Sequence, residues 1–269
     1  MTGLIKSYLN FCNYRRDLDE KGYIDLTNRN WFYPTELLPL GNLLYEHDKA
    51  VYKLPADPKV KKYFVIMTDK SYSKGSSYIP LRRVSKFTEK DNNDIYDLVA
   101  KECKIDQKNP FKLLISELTD NVNEHSKCRD AFFMAQRYNK NSFVEMAFFD
   151  NGITIPGSLR DSGKDNKESD SRLITNAING LSSKSNERGY GLQESIKLIS
   201  RKLGGEIFIV SGEGAFYTNK DKLALNSSNE ILGDIFKLDP YQKLKGTLIG
   251  FTFPLPIPDK IDIYSEGIL

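Results

Sequence analysis

Phe143-Val144-Glu145-Met146-Ala147-Phe148-Phe149-Asp150-Asn151-Gly152 is the stretch on which the reading of this chain turns. Val144, Met146 and Phe148 alternate with Glu145, Ala147 and Phe149, which predicts a strand presenting two different faces. The run closes on a carboxylate, and Asn151-Gly152 punctuates it. A carboxylate in that place can accept a hydrogen bond from an exocyclic amino group, while Gly152 lets the backbone approach a flat base. Alone, the string is also an ordinary turn after a strand. Its weight comes from what stands on either side.

Upstream, Glu117-Leu118-Thr119-Asp120-Asn121 lies in a segment where Phe111, Leu114, Ile115 and Leu118 recur at helical spacing behind Pro110. Glu117 and Asn121, four apart, share one helix face. An amide oxygen beside a carboxylate can hold magnesium, which takes hard oxygen ligands and keeps several waters. The carboxylate can also accept a proton from an attacking water or hydroxyl. A solvated helix face is the bland alternative, and Asp120, Asn123 and Glu124 favour it. Downstream, Arg188-Gly189-Tyr190-Gly191-Leu192 precedes a helix expected over 190–203, which stops at Gly204-Gly205. Small residues at a helix entrance expose N–H groups suited to phosphate. Lys184 and Arg188 can add charge toward a γ-phosphate. The alternative is a surface turn with incidental basic residues. Gly246-Thr247 opens a last strand, expected over 247–254. No P-loop string or dinucleotide glycine fingerprint occurs.

The rest of the chain divides by pattern. Residues 1–104 read as a small α/β module: a strand at 22–27, a helix from Pro34, and strands at 51–54 and 63–66. A helix-like segment at 95–103 closes it. Residues 105–258 form the second unit and 259–269 a tail. Besides the opening strand, the second unit holds strands at 131–138, 206–211 and 215–218 and a helix at 173–179. Arg160 to Arg172 reads as an exposed mobile loop, and 219–245 as a long connection.

The formal charge of +3, with Lys and Arg scattered, gives no footprint for nucleic acid. No run approaches the ~18 apolar residues of a membrane helix, and no secretory signal is evident at the start. Cys12, Cys103 and Cys128 are widely spaced and unpaired by motif, as expected of reduced thiols in a cytoplasmic protein.

Taken together and in order, the four clusters resemble the boxes of the ATPase domain shared by DNA gyrase, the large heat-shock chaperone, histidine kinases and MutL, the GHKL superfamily. The resemblance implies a two-layer α/β sandwich of histidine-kinase-like ATPase type over 105–258, with helices on one face of a mixed sheet. It implies ATP and Mg2+ as ligands, Glu117 as base and Asn121 as metal ligand. Asp150 and Gly152 would meet adenine, helped by Thr247, and Gly189 and Gly191 the phosphates, with Lys184 and Arg188 in a lid. Thr154 stands where the family often carries a second glycine. Tyr78 to Arg83, and Gly180 to Leu192, are similar to stand-alone prokaryotic ATP-binding proteins whose N-terminal module is STAS-like (sulfate-transporter/anti-sigma-antagonist). That module would place a phosphoacceptor hydroxyl near Thr35. A protein partner or a homodimer is expected by the same resemblance.

Three activities follow from such a pocket: lid-gated ATP hydrolysis, anti-sigma-type Ser/Thr phosphorylation, and nucleotide sensing without turnover. Hydrolase and kinase share every pocket residue, since phosphoryl transfer is mainly positioning and charge stabilisation. A histidine autokinase is disfavoured: His47 and His125 are the only histidines, and neither sits in a long helical hairpin.

Overall fold

The computed structural model describes residues 3–47, 49–69, 73–100, 108–125, 128, 130–163, 167–181, 191–224 and 230–256. The chain opens with α1 (Gly3–Lys21), which buries Leu4, Tyr8, Phe11 and Cys12 at helical spacing. Strand β1 (Tyr23–Asp25) leads to α2 (Pro34–Glu46), begun by a proline whose missing N–H is harmless in the first turn. Strand β2 (Val51–Lys53) returns parallel to β1. Helix α3 (Pro58–Thr68) starts where the Asp57 carboxylate accepts the Lys59 and Val60 N–H groups. After β3 (Tyr78–Val84), α4 (Glu89–Ala100) is entered through a reciprocal cap. There the Thr88 N–H donates to the Asp91 carboxylate at 3.0 Å, and the Asp91 N–H donates to Thr88 Oγ1 at 3.4 Å. Then come α5 (Lys108–His125), β4 (Ala131–Tyr138), β5 (Phe143–Asp150), α6 (Ile155–Asp161) and α7 (Asp170–Ile178). Helix α8 (Gly191–Lys197) continues into a π-helical turn over Leu198–Lys202. The chain ends in β6 (Glu206–Gly212), β7 (Gly214–Asn219), α9 (Lys220–Ala224), β8 (Asp234–Lys237) and β9 (Leu244–Pro254).

Seven strands form one sheet in the order β3-β4-β5-β9-β6-β7-β8, antiparallel at every pairing. Its alternation separates two cores. Val144, Met146 and Phe148 of β5 face Leu114, Ile115 and Leu118 of α5, with Ile174 and Ile196 from α7 and α8. Ala147 and Phe149 face the opposite way, onto Leu37, Leu38 and Leu40 of α2 and residues of α1 and α3.

The protein is therefore mixed α/β, with a seven-stranded antiparallel sheet and a two-stranded parallel one. The expected mixed sheet is corrected: no pairing within the large sheet is parallel. Helices α5, α7 and α8 of the second unit share one face of it, while α1, α2 and α3 of the preceding segment cover the other. The reason lies in β4 and β5, whose second face carries Phe132, Met134, Ala147 and Phe149. A face that apolar cannot stand in water, and burying each large side chain contributes about 1.5–3 kcal/mol. Strand β3, which precedes residue 104, supplies an edge of the same sheet, so the expected boundary at 104 does not separate two sheets.

Two local expectations also change. Tyr63 to Ile66, read as a strand, lies inside α3, because the Asp57-Pro58 start commits the segment to a helix. Arg160 to Arg172 is not one mobile loop. It holds the ends of α6 and α7, joined by Arg160 Nη2 to Asp170 Oδ1 at 2.7 Å. The Glu213 N–H adds a bond to Asp170 Oδ2 at 2.8 Å, and Leu173, Ile174 and Ile178 of α7 are fully buried.

Candidate functional site

Asp150, Thr247 and Ser211 sit in a row across the end of the central strands. Asp150 is the cross-strand partner of Thr247, and Thr247 that of Ser211. All three continue the alternation that faces α5 and α8. Asp150 is 4% exposed, and its one hydrogen bond comes from the Gly152 N–H, 2.9 Å from Oδ1. Burial pushes its carboxyl up to about 7, with the Gly152 N–H pulling weakly the other way. A carboxylate so placed lacks donors and would be relieved by one more.

The strand entry is shaped around it. Gly246 has φ +90°, and a Cβ there would lie 1.9 Å from the Asp150 carbonyl oxygen, so no other residue fits beside that strand end. Thr154 caps α6: its Oγ1 accepts the Gly157 N–H at 2.9 Å.

Glu117 and Asn121 lie on α5 as its spacing predicts, and Gly191 at the start of α8 closes on them. A Cβ on Gly191 would stand 2.1 Å from Glu117 Oε2 and 3.9 Å from Asn121 Nδ2. The terminal amide nitrogen of Asn121 is buried without a hydrogen-bond partner. Rotating the amide presents its oxygen at the same point, so the pair suits a magnesium ion carrying phosphate and water. Among the described residues, no cluster of three or more His, Cys, Asp or Glu could hold a metal alone.

Both groups belong to one end of the molecule. Helix α5 feeds β4 at Ala131, the cross-strand partner of Asp150. The helix begun by Gly191 finishes beside Thr252 and Phe253, where Gly205 packs, at the far end of β9 from Thr247. Its first residue therefore points back toward Asp150. Gly152 lies two residues beyond Asp150, after Asn151. Lys184, Arg188 and Gly189 lie outside the described residues, as do Cys103 and the expected tail. Thr35, near which a STAS-like module would carry its phosphoacceptor hydroxyl, is fully buried where α2 meets the sheet. His47 is the exposed residue ending α2.

Sequence reasoning passed over Ser211. Its Oγ accepts the Ile155 N–H at 2.8 Å and lies 2.9 Å from Thr247 Oγ1 and 3.4 Å from the Gly246 carbonyl. The available signal was a hydroxyl at an inward position of an otherwise apolar strand. No protein-family model matches the chain, and no curated protein matches it significantly. Among the described residues, no helix is long and apolar enough to cross a membrane.

Proposed function

We propose that this chain binds ATP with magnesium and uses it for slow, gated hydrolysis or phosphoryl transfer in a regulatory or signalling role. In this reading residues 105–258 carry an ATPase fold of the histidine-kinase-like type. The observation that carries it is Asp150, a buried carboxylate with a single internal hydrogen bond at the end of a central strand. The 6-amino group of adenine supplies the donor that the fold withholds, and Thr247 stands beside it on the neighbouring strand. Glu117 and Asn121, closed over by Gly191, are the candidates for base and metal ligand. If phosphate is transferred rather than released, the acceptor is not Thr35, because its hydroxyl is buried. Titration calorimetry with ATP and magnesium, followed by a phosphate-release assay on the same sample, tests the reading. Saturable heat with slow release is expected; no heat at millimolar ATP would end it.

A further inference from the structure

Asp150 ends the β4–β5 ladder opposite Ala131, and just past that pair the two chain segments are held by long bonds. The Asp130 N–H donates to Asn151 Oδ1 at 3.3 Å, and the Asn151 N–H to the Asp130 carbonyl at 3.4 Å. Both lie at the weak end of hydrogen-bond distances. Yet Asn151 leads into Gly152, whose N–H donates to the Asp150 carboxylate. Asp130 is fixed more firmly by its side chain. Arg83 of β3 grips it with two prongs, Nε to Oδ1 at 2.7 Å and Nη2 to Oδ2 at 2.6 Å. Both side chains are largely buried, so water screens this pair less than a surface one. The guanidinium is oriented in turn by Tyr45: its carbon lies 4.4 Å from the ring centroid, and Nη1 donates to the phenol oxygen. Tyr45 stands in the last turn of α2 and is 43% exposed.

We propose that Arg83 is a positioning residue: oriented by Tyr45 and clamped on Asp130, it holds the Asn151-Gly152 turn closed and couples the exposed end of α2 to nucleotide affinity. The last step rests on the ATP reading above; the clamp itself does not. Arg83 is the cross-strand partner of Phe132, which faces α2, whereas Asp150 belongs to the face of α5. The route from Tyr45 through Arg83 and Asp130 to Asn151 therefore passes around the sheet end from one face to the other. With the guanidinium gone, Asp130 keeps its place by the two long bonds alone, and the turn opens more often. Each opening takes the Gly152 N–H away from Asp150.

The test begins with the nucleotide-free chain. Residue-resolved amide hydrogen exchange by NMR reads the Gly152 N–H directly at pH 8, where the Asp150 carboxyl, at about 7, is mostly ionised. In Arg83→Met, Gly152 should exchange about tenfold faster, while Phe133 and Phe148, inside the same ladder, keep the parent's rates. Asp130→Asn keeps the volume and weakens the grip. It should reproduce the methionine variant, which keeps the test decisive if that variant does not fold. Tyr45→Leu should speed Gly152 exchange about threefold in the parent and add nothing in Arg83→Met, as members of one chain of contacts behave. Calorimetry with ATP and magnesium should then show about tenfold weaker binding in Arg83→Met. Unchanged Gly152 exchange overturns the inference, as does equal loosening of Phe133 and Phe148, the mark of a merely destabilised fold. Additive effects of Tyr45 and Arg83 sever the route to α2, and parent-like ATP affinity in a variant with a loosened Gly152 refutes the coupling to nucleotide. A parent chain that binds no ATP refutes the reading beneath, and the exchange rates still judge the clamp.

Discussion

Glu145 offers the sharpest quantitative test of the packing. It is 3% exposed, on the face of β5 opposite the candidate site, and accepts the Thr35 N–H at 2.9 Å. The Thr35 hydroxyl faces the same carboxyl without a well-formed hydrogen bond. Burial pushes the Glu145 carboxyl from 4.5 up to about 7, and the charges of Glu206 and Glu36 push the same way. That rise corresponds to about 3 kcal/mol between its two protonation states. The sign follows from linkage. The folded chain holds this proton more tightly than the unfolded one, so stability is full below the unfolded value and is lost as pH rises toward 7. Glu145→Gln removes the titration and keeps an acceptor for Thr35. Its amide NH2 adds a cost of about 1–3 kcal/mol if unpartnered, but that cost does not vary with pH. Relative to the parent, the variant should therefore gain about 2 kcal/mol on going from pH 5 to pH 8. Urea unfolding of both proteins at the two pH values measures it. Parallel behaviour of the two would show that Glu145 is not a buried, late-ionising carboxyl.

Three further outcomes probe the site itself. Asp150→Asn should abolish ATP binding in calorimetry, and the parent's affinity should fall as pH drops through 7, where the raised carboxyl takes up its proton. Glu117→Ala should leave ATP affinity within a few-fold while stopping phosphate release; unchanged turnover would remove it as the base. Gly246→Ala should lower stability by more than about 1–3 kcal/mol, because a positive φ and a Cβ against the Asp150 carbonyl act together; a thermal unfolding scan reads it.

Strands β4 and β5 were legible because one run is apolar, the other alternates and polar residues separate them, and the structure joins them through a turn with Ser142 at φ 51°. Glu117 and Asn121 were legible as a helix face because their spacing is local. Pairing between distant strands was not. Strand β9 comes last in the chain yet lies between β5 and β6, and nothing local to it announces that place. Ser211 was hidden for the same reason, since its partners come from α6 and β9. The α3 error was one of weighting: a short apolar run fits a strand or a buried helix equally, and the Asp57-Pro58 start should have decided. The covered second face was present in Phe132, Met134 and Phe149, which are too apolar for solvent.

Because α1, α2 and α3 roof that second face and β3 seals the sheet beside β4, the front part of the chain cannot be removed as a cassette. A fragment starting at residue 105 would bare Phe132, Met134, Phe149 and Phe208 and leave a hydrogen-bonding strand edge open, the recipe for aggregation. Cloning the part from residue 105 onward alone should therefore yield inclusion bodies, and a genetic lesion in the leading helices should phenocopy loss of the whole protein.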